Sequence, residues 1–279
     1  MAIFQGIEHV GIFSSDTRRL ADWYVKHLDM KVIVDNGKGV YFLLMANGSM
    51  IEMIPGNEAS ACAGKPEVRD SGLRHIALSV DPGCFGEAVH RLAEVGVETV
   101  GTTPQQFPEG LATFHFRDPD GNILHLIARP NRLSLAIPPR LADAPKNAMI
   151  LGIEHTCILA KDLERLRQWY IDVLGFQLIV RDDGHGTAFV LAPDGRSIVE
   201  FIQADRDIGV ENYKALGIRH LAVSVAPENA AHAAKLLKAD GVEVLEDYVE
   251  LPNGTHLFFF RDPEGNVLHL AGRPKPLAN

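Results

Sequence analysis

Apolar residues along the chain switch between two spacings, and each switch predicts an element. After Asp16, a residue suited to cap a helix, Leu20, Trp23, Tyr24, His27 and Leu28 fall at helical spacing. Leu163, Leu166, Trp169, Tyr170, Val173 and Leu174 repeat that spacing, and Gly175 follows where a helix would end. Short β-rich runs come next, at Lys31–Val34, Val40–Met45 and Ser49–Ile54. Asn47-Gly48 separates two of these runs and Asp194-Gly195 separates their counterparts; both pairs favour tight hairpin turns. A second pattern of the same kind opens on a strand at His75–Val80 or His220–Val225. It continues in a helix over about Phe85–Val95 or Asn229–Ala239 and closes on a hairpin at Asp120-Gly121 or Glu264-Gly265. The predicted unit is βαβββ, four times over, which places the chain in the α+β class.

Three blocks recur in the same order. Gly6-Ile7-Glu8-His9 returns as Gly152-Ile153-Glu154-His155, and Arg74-His75-Ile76-Ala77-Leu78-Ser79-Val80 as Arg219-His220-Leu221-Ala222-Val223-Ser224-Val225. Phe116-Arg117-Asp118-Pro119-Asp120-Gly121-Asn122-Ile123-Leu124-His125-Leu126 returns as Phe260-Arg261-Asp262-Pro263-Glu264-Gly265-Asn266-Val267-Leu268-His269-Leu270. The offsets of 146, 145 and 144 mean an internal duplication. Between the copies, Pro130, Pro138, Pro139 and Pro145 mark an extended connector. The expected division is a first domain over 1–130, a Pro-rich linker over 131–149 and a second domain over 150–279.

With 279 residues, 46% of them hydrophobic, the chain needs no metal or disulfide merely to hold a core together. Its 27 basic against 36 acidic residues leave a net charge of −9, which disfavours nucleic acid and anionic membranes as partners. Cys62, Cys84 and Cys157 are too few, and odd in number, for a disulfide framework; they fit a reducing cytoplasm. The opening MAIFQGIEHV lacks the pattern of a secretory signal. Leu257–Phe260, the most apolar short stretch, cannot span a bilayer. The expected partners are a small-molecule substrate and, optionally, a second copy of the chain.

The chemistry lies in polar residues on apolar strands. His9 shares a strand face with Ile7, Gly11 and Phe13. Glu52 sits within Ser49-Met50-Ile51-Glu52-Met53-Ile54, and Glu200 within Ser197-Ile198-Val199-Glu200-Phe201-Ile202. A carboxylate there is costly unless paired, protonated or metal-bound. His75 opens an apolar strand and His125 interrupts another. Each copy thus carries a matched set: His9, Glu52, His75 and His125 in the first, His155, Glu200, His220 and His269 in the second. Three imidazoles and a carboxylate suit Zn, Ni, Co, Mn or Fe(II). A single strand histidine is more often a hydrogen-bonded core residue; the coincidence of all eight positions favours a divalent metal ion. Glu52 and Glu200 could also act as bases, and His115 and His256 are further acid–base candidates. Cys157 reads as a small core residue. The Asp-Pro-Asp/Glu-Gly segments read as turns, and His27, His90, His185 and His232 as surface positions. No phosphate-binding glycine pattern occurs, so a nucleotide cofactor is not expected.

These residues resemble the vicinal oxygen chelate superfamily, which includes glyoxalase I, extradiol dioxygenases, methylmalonyl-CoA epimerase and bleomycin- or fosfomycin-resistance proteins. The resemblance rests on the Trp169–Phe176 and Arg74–Val80 words and the closing Asp118-Pro119-Asp120-Gly121-Asn122, and covers nearly all the chain except the connector. It implies paired βαβββ modules curled into cups around a metal, with ligands from the first and last strand of each module. Those are the eight positions above. The chain departs from the family pattern in three ways. His125 and His269 stand where a closing Glu is usual. Phe13 and Leu159 stand where glutathione-dependent enzymes carry Arg. His115 and Phe259 stand where classical extradiol enzymes carry Tyr.

The expected activity is that of a metal-dependent lyase or isomerase acting on a small substrate chelated through vicinal oxygens, without glutathione. The alternatives are an Fe(II) ring-cleaving dioxygenase and, from another class, a resistance protein that sequesters its ligand without turnover. The long connector favours a cis arrangement in which each copy closes its own cup.

Overall fold

The structure is a computed structural model describing residues 2–56, 67–139, 141–209 and 212–278; Cys62 lies outside the described residues. The first module comprises β1 (Phe4–Ser14), α1 (Thr17–His27), β2 (Lys31–Asp35), β3 (Tyr41–Leu44) and β4 (Met50–Pro55). The second comprises β5 (Gly72–Val80), α2 (Phe85–Glu94), two short strands β6 (Glu98–Thr99) and β7 (Gln105–Gln106), β8 (Ala112–Arg117) and β9 (Ile123–Ala128). The third is β10 (Ile150–Ala160), α3 (Leu163–Asp172), β11 (Gln177–Asp182), β12 (Thr187–Leu191) and β13 (Ile198–Gln203). The fourth is β14 (Gly217–Val225), α4 (Pro227–Asp240), β15 (Glu243–Glu250), β16 (His256–Arg261) and β17 (Val267–Gly272).

Capping chemistry sets the first helix of each copy. The Asp16 and Asp162 side chains accept from the backbone N–H of Arg19 and Arg165. Leu20, Ala21 and Tyr24, and Leu166 and Tyr170, are the buried stripe of α1 and α3. His27 belongs to that buried side, against the Trp23 ring, and not to the surface. After α3, Gly175 takes φ +75°, a left-handed conformation that glycine adopts without strain.

Two sheets result. One runs β15-β16-β17-β14-β1-β4-β3-β2, and the other β11-β12-β13-β10-β5-β9-β8-β6, with β7 added on β8. The cis arrangement is therefore overturned. The first module shares its sheet with the fourth and the second with the third, joined by the antiparallel pairs β1–β14 and β5–β10. The physical reason lies on the helix side. Within a copy, the modules meet through α1 and the β8–β9 turn, or through α3 and the β16–β17 turn. The Tyr24 hydroxyl donates to Asp118 at 2.7 Å and Tyr170 to Asp262 at 3.2 Å, while Arg91 pairs with Asp29 at 2.6 Å. The first strands then find their partners across copies. The linker adds to this: Leu135 and Ala136 donate to Gly195 O, and Leu141 and Ala144 pack near Leu44, so it lies along strands of both sheets.

The Asp-Pro-Asp/Glu-Gly turns are turns, as expected, and also anchors. Asp118 accepts from Asp120 N and Asn122 N at 2.9 Å and from the Asn122 amide at 2.8 Å. Burial pushes its carboxyl up to about 6 against the pull of Asn122 and Tyr24; burial likewise raises Asp262 to about 6 against the pull of Asn266 and Tyr170. Tyr24→Phe and Tyr170→Phe each remove a donor to a buried carboxyl group. Each is expected to cost about 1–3 kcal/mol of stability, read from urea denaturation midpoints. Midpoints equal to the parent's would contradict the anchoring role.

Two candidate metal centres

The crossed pairing decides which polar residues meet. β17, β14, β1 and β4 are consecutive in their sheet, as are β9, β5, β10 and β13 in the other. Gly11 lies opposite both His220 and Glu52, and Ala222 opposite His269, so one imidazole or carboxylate from each of four adjacent strands converges. The first cluster is His9, Glu52, His220 and His269, with one ligand atom from each, all within 4.8 Å of one another. In the second, His75, His125 and His155 group within the same limit, and His75 also groups with Cys157 and Glu200. The sequence sets His9, Glu52, His75, His125 and His155, Glu200, His220, His269 are thus redistributed, two residues exchanged between copies.

The distances are those of donors aimed at one point. His9 Nε2 lies 3.3 Å from both His220 Nε2 and His269 Nε2. Glu52 Oε2 lies 3.1 Å from His9 Nε2 and 3.3 Å from His220 Nε2. In the second cluster, His155 Nε2 lies 3.5 Å from His75 Nε2 and 3.4 Å from His125 Nε2, and Glu200 Oε2 is 3.2 Å from both His75 and His155. Donors about 2.0–2.1 Å from a tetrahedral zinc would stand about 3.3–3.4 Å apart, so the clusters fit a divalent ion. Three Nε2 atoms facing one another cannot all be satisfied by protons they share, and all six histidines are buried.

Charge within each cluster is uneven. Burial lowers the His9 pKa, but Glu52 and then Glu8 outweigh it and raise it to about 9. His155 is raised to about 9 by Glu200 and Glu154 against the same burial. His75 and His220 are lowered, and His125 and His269 held well down, by burial and neighbouring imidazoles. Burial would raise Glu52 and Glu200, yet the histidines hold both well below the usual carboxylate range.

Sequence reasoning missed a second carboxylate behind each cluster. Glu8 accepts from His9 Nδ1 at 2.8 Å and from Arg273 Nε at 2.7 Å. Glu154 accepts from His155 Nδ1 and from Arg129 Nε, both at 2.7 Å. Adjacent strand residues normally face apart. Here the registers of β1 and β10 slip between Ile7 and His9 and between Ile153 and His155, the extra residue of a bulge, which re-aims a side chain. The signal was present in the repeated Glu-His pair and in Arg129 and Arg273, each four residues past a closing histidine. A carboxylate on Nδ1 fixes the tautomer that presents Nε2 as a ligand.

His115 faces the second cluster. Directly opposite His125 on β8, its ring stacks on that histidine at 4.4 Å and 2°. Burial, then the charge of His75, lowers it to about 4, leaving it neutral at pH 7. The corresponding residue of the first cluster is Phe259, stacked on His269 at 4.5 Å. His256 does not join. Regular β16–β17 pairing sets Phe259 opposite His269, so alternation turns His256 to the other face with Phe258 and Phe260. It bonds the Tyr248 hydroxyl at 2.7 Å through Nδ1. Among the expected surface histidines, His185 lies in an exposed loop beside Asp182, and His90 pairs with Glu94 on an exposed helix face. Phe13 lies edge-on to His220 and Phe42 edge-on to His9, while Leu159 is buried. Apolar rings therefore flank the first cluster.

No helix among the described residues is long and apolar enough to cross a membrane. The sequence model of the Glyoxalase/Bleomycin resistance protein/Dioxygenase superfamily matches residues 6–126 and 152–270. The chain is 24% identical, over 95% of its length and 86% of the relative's, to "Putative ring-cleaving dioxygenase MhqA" of Bacillus subtilis. It is 28% identical, over 42% of its length and 88% of the relative's, to the lactoylglutathione lyase of Escherichia coli O157:H7. Among solved structures, a "putative dioxygenase" of Bacillus subtilis has a TM-score of 0.73 at 16% identity, covering 99% of this chain and 88% of that one. Glyoxalase I from Zea mays has a TM-score of 0.67 at 17% identity, covering 96% of this chain and 92% of that one. With both copies matched by the family and the whole fold shared with its solved members, this chain belongs to the Glyoxalase/Bleomycin resistance protein/Dioxygenase superfamily.

Proposed function

We propose that the chain is a divalent-metal-dependent lyase or isomerase with two centres, one held by His9, Glu52, His220 and His269, the other by His75, His125, His155 and Glu200. The observation that carries this reading is the convergence of three buried imidazoles and a carboxylate, twice, on otherwise apolar strands. An ion held by these donors would supply Lewis-acid stabilisation of the negative charge developing on two adjacent substrate oxygens. The histidine contacts of Glu52 and Glu200 fall on Oε2. Oε1 is the atom assigned to take a proton from the carbon beside those oxygens and return it to the neighbouring carbon. At the second centre, the neutral His115 stands ready to share that proton. Phe13, Phe42 and Phe259 supply an apolar wall, and no arginine stands at the position of Phe13 or Leu159 to receive a glutathione carboxylate; the substrate is therefore a small molecule other than a glutathione adduct.

A second reading, the Fe(II) ring-cleaving dioxygenase, is favoured by one observation: the relative matched along nearly the whole chain is named for that activity. Turnover of α-hydroxycarbonyl compounds and catechols, with and without O2, separates the two. A rate that persists without O2 supports the lyase or isomerase, and stoichiometric O2 uptake overturns it. Chelation should abolish either activity. The carboxylates behind the clusters give a graded effect. Glu8→Gln is expected to weaken ion binding at the first centre about 10–100-fold and Glu154→Gln at the second, each leaving the other centre unchanged, as read by competition with a metallochromic chelator.

A further inference from the structure

Besides His115 and Phe259, the two clusters differ at a second matched position. Gly11 on β1 lies opposite His220 and Glu52; Cys157 on β10 holds the same place opposite His75 and Glu200. At Gly11, a Cβ would stand only 1.9 Å from His220 Cε1, so the imidazole occupies the space a side chain would need. At Cys157 a side chain is there, fully buried, and its sulfur lies within 4.8 Å of ligand atoms of His75 and Glu200. Its S–H is directed to the Glu200 carboxylate. The first cluster gathers its four donors as one group. In the second, His75 is the corner shared between the two other imidazoles and the Cys157–Glu200 pair.

We propose that an ion in the second centre takes the Cys157 sulfur as an additional donor, so that the two centres select different ions. This rests on the reading of both clusters as metal centres. Coordination would exchange the thiol proton for the ion and release that proton to the buffer. A thiolate favours softer ions such as Zn, Co and Cd over Mn, whereas the first centre offers only imidazole and carboxylate. The sulfur is fully buried and has no route to act as a surface nucleophile.

Cobalt(II) on the full-length protein tests this. Two cobalt ions per chain are expected, with a near-ultraviolet thiolate-to-cobalt band of an amplitude set by one of them. Cys157→Ser should keep two ions and lose the band. His9→Ala combined with His220→Ala should keep one ion and the whole band, doubling its amplitude per bound cobalt; this variant leaves Cys157 intact and decides the matter if the serine variant fails to fold. The preference of the second centre for Cd(II) over Mn(II) should fall at least about 10-fold in Cys157→Ser. Two bound ions without a band, or a band that survives Cys157→Ser, would overturn the thiolate and leave the centres standing. No bound cobalt would overturn both.

Discussion

Replacing His9 and His220 together with alanine is expected to remove one bound divalent ion per chain, whereas replacing His9 and His75 together should remove both. The two double variants delete the same chemistry, two imidazoles, and differ only in which strands they touch. His9 and His220 stand 3.3 Å apart on the paired strands β1 and β14, so losing both empties a single centre of half its donors. His75 instead faces His155, 3.5 Å away on β10. Losing His9 and His75 takes one donor from each centre. Removing a first donor should weaken each ion by at least about 100-fold, since changes one shell further out already cost 10–100-fold. Metal content after dialysis against a weak chelator reads the result. One ion lost from the His9/His75 pair and two from the His9/His220 pair would restore the cis arrangement.

Separating the copies should have a still larger effect on folding. Residues 1–130 and 150–279, expressed alone, are each expected to bind no ion as monomers, while equimolar mixing should give a one-to-one complex with two ions. Each half would leave β1 and β5, or β10 and β14, with one side unpaired. These are the central strands of the two sheets, 9 to 11 residues long, and carry buried apolar residues such as Val10, Ile12, Ile76 and Leu78. A long unpaired apolar edge seeks a partner. Because the copies are repeats, a half at high concentration should pair with itself, so any ion it binds must appear together with the dimer in sedimentation. A half that is monomeric and binds an ion with the parent's affinity would contradict the crossed pairing.

Much of the site was legible because its cause is local. A carboxylate such as Glu52 between Ile51 and Met53, or an imidazole such as His125 between Leu124 and Leu126, conflicts with its own strand and marks itself out in the bare sequence. Repetition of that conflict at eight matched positions, with the helix caps at Asp16 and Asp162 and the glycine turns, determined the βαβββ modules and the candidate ligands together.

Three things were decided only in three dimensions. The first is pairing: β1 presents the same backbone N–H and C=O groups to β5 as to β14, and the near-identical words of the copies make those partners chemically equal. The choice came from helix-side contacts such as Tyr24–Asp118, more than 90 residues apart along the chain. The second is the direction of Glu8 and Glu154. Strict alternation turns each away from its neighbouring histidine, and only the bulge in the central strand brings it back to Nδ1. The third is face. His115 and His256 look alike as strand histidines, yet register sets one against His125 and the other beside Phe258, because a one-residue step along a strand exchanges the cup for the helix layer. Composition and spacing thus determined which residues are candidates for the chemistry. Hydrogen-bond register, which no single strand encodes alone, decided which of them meet.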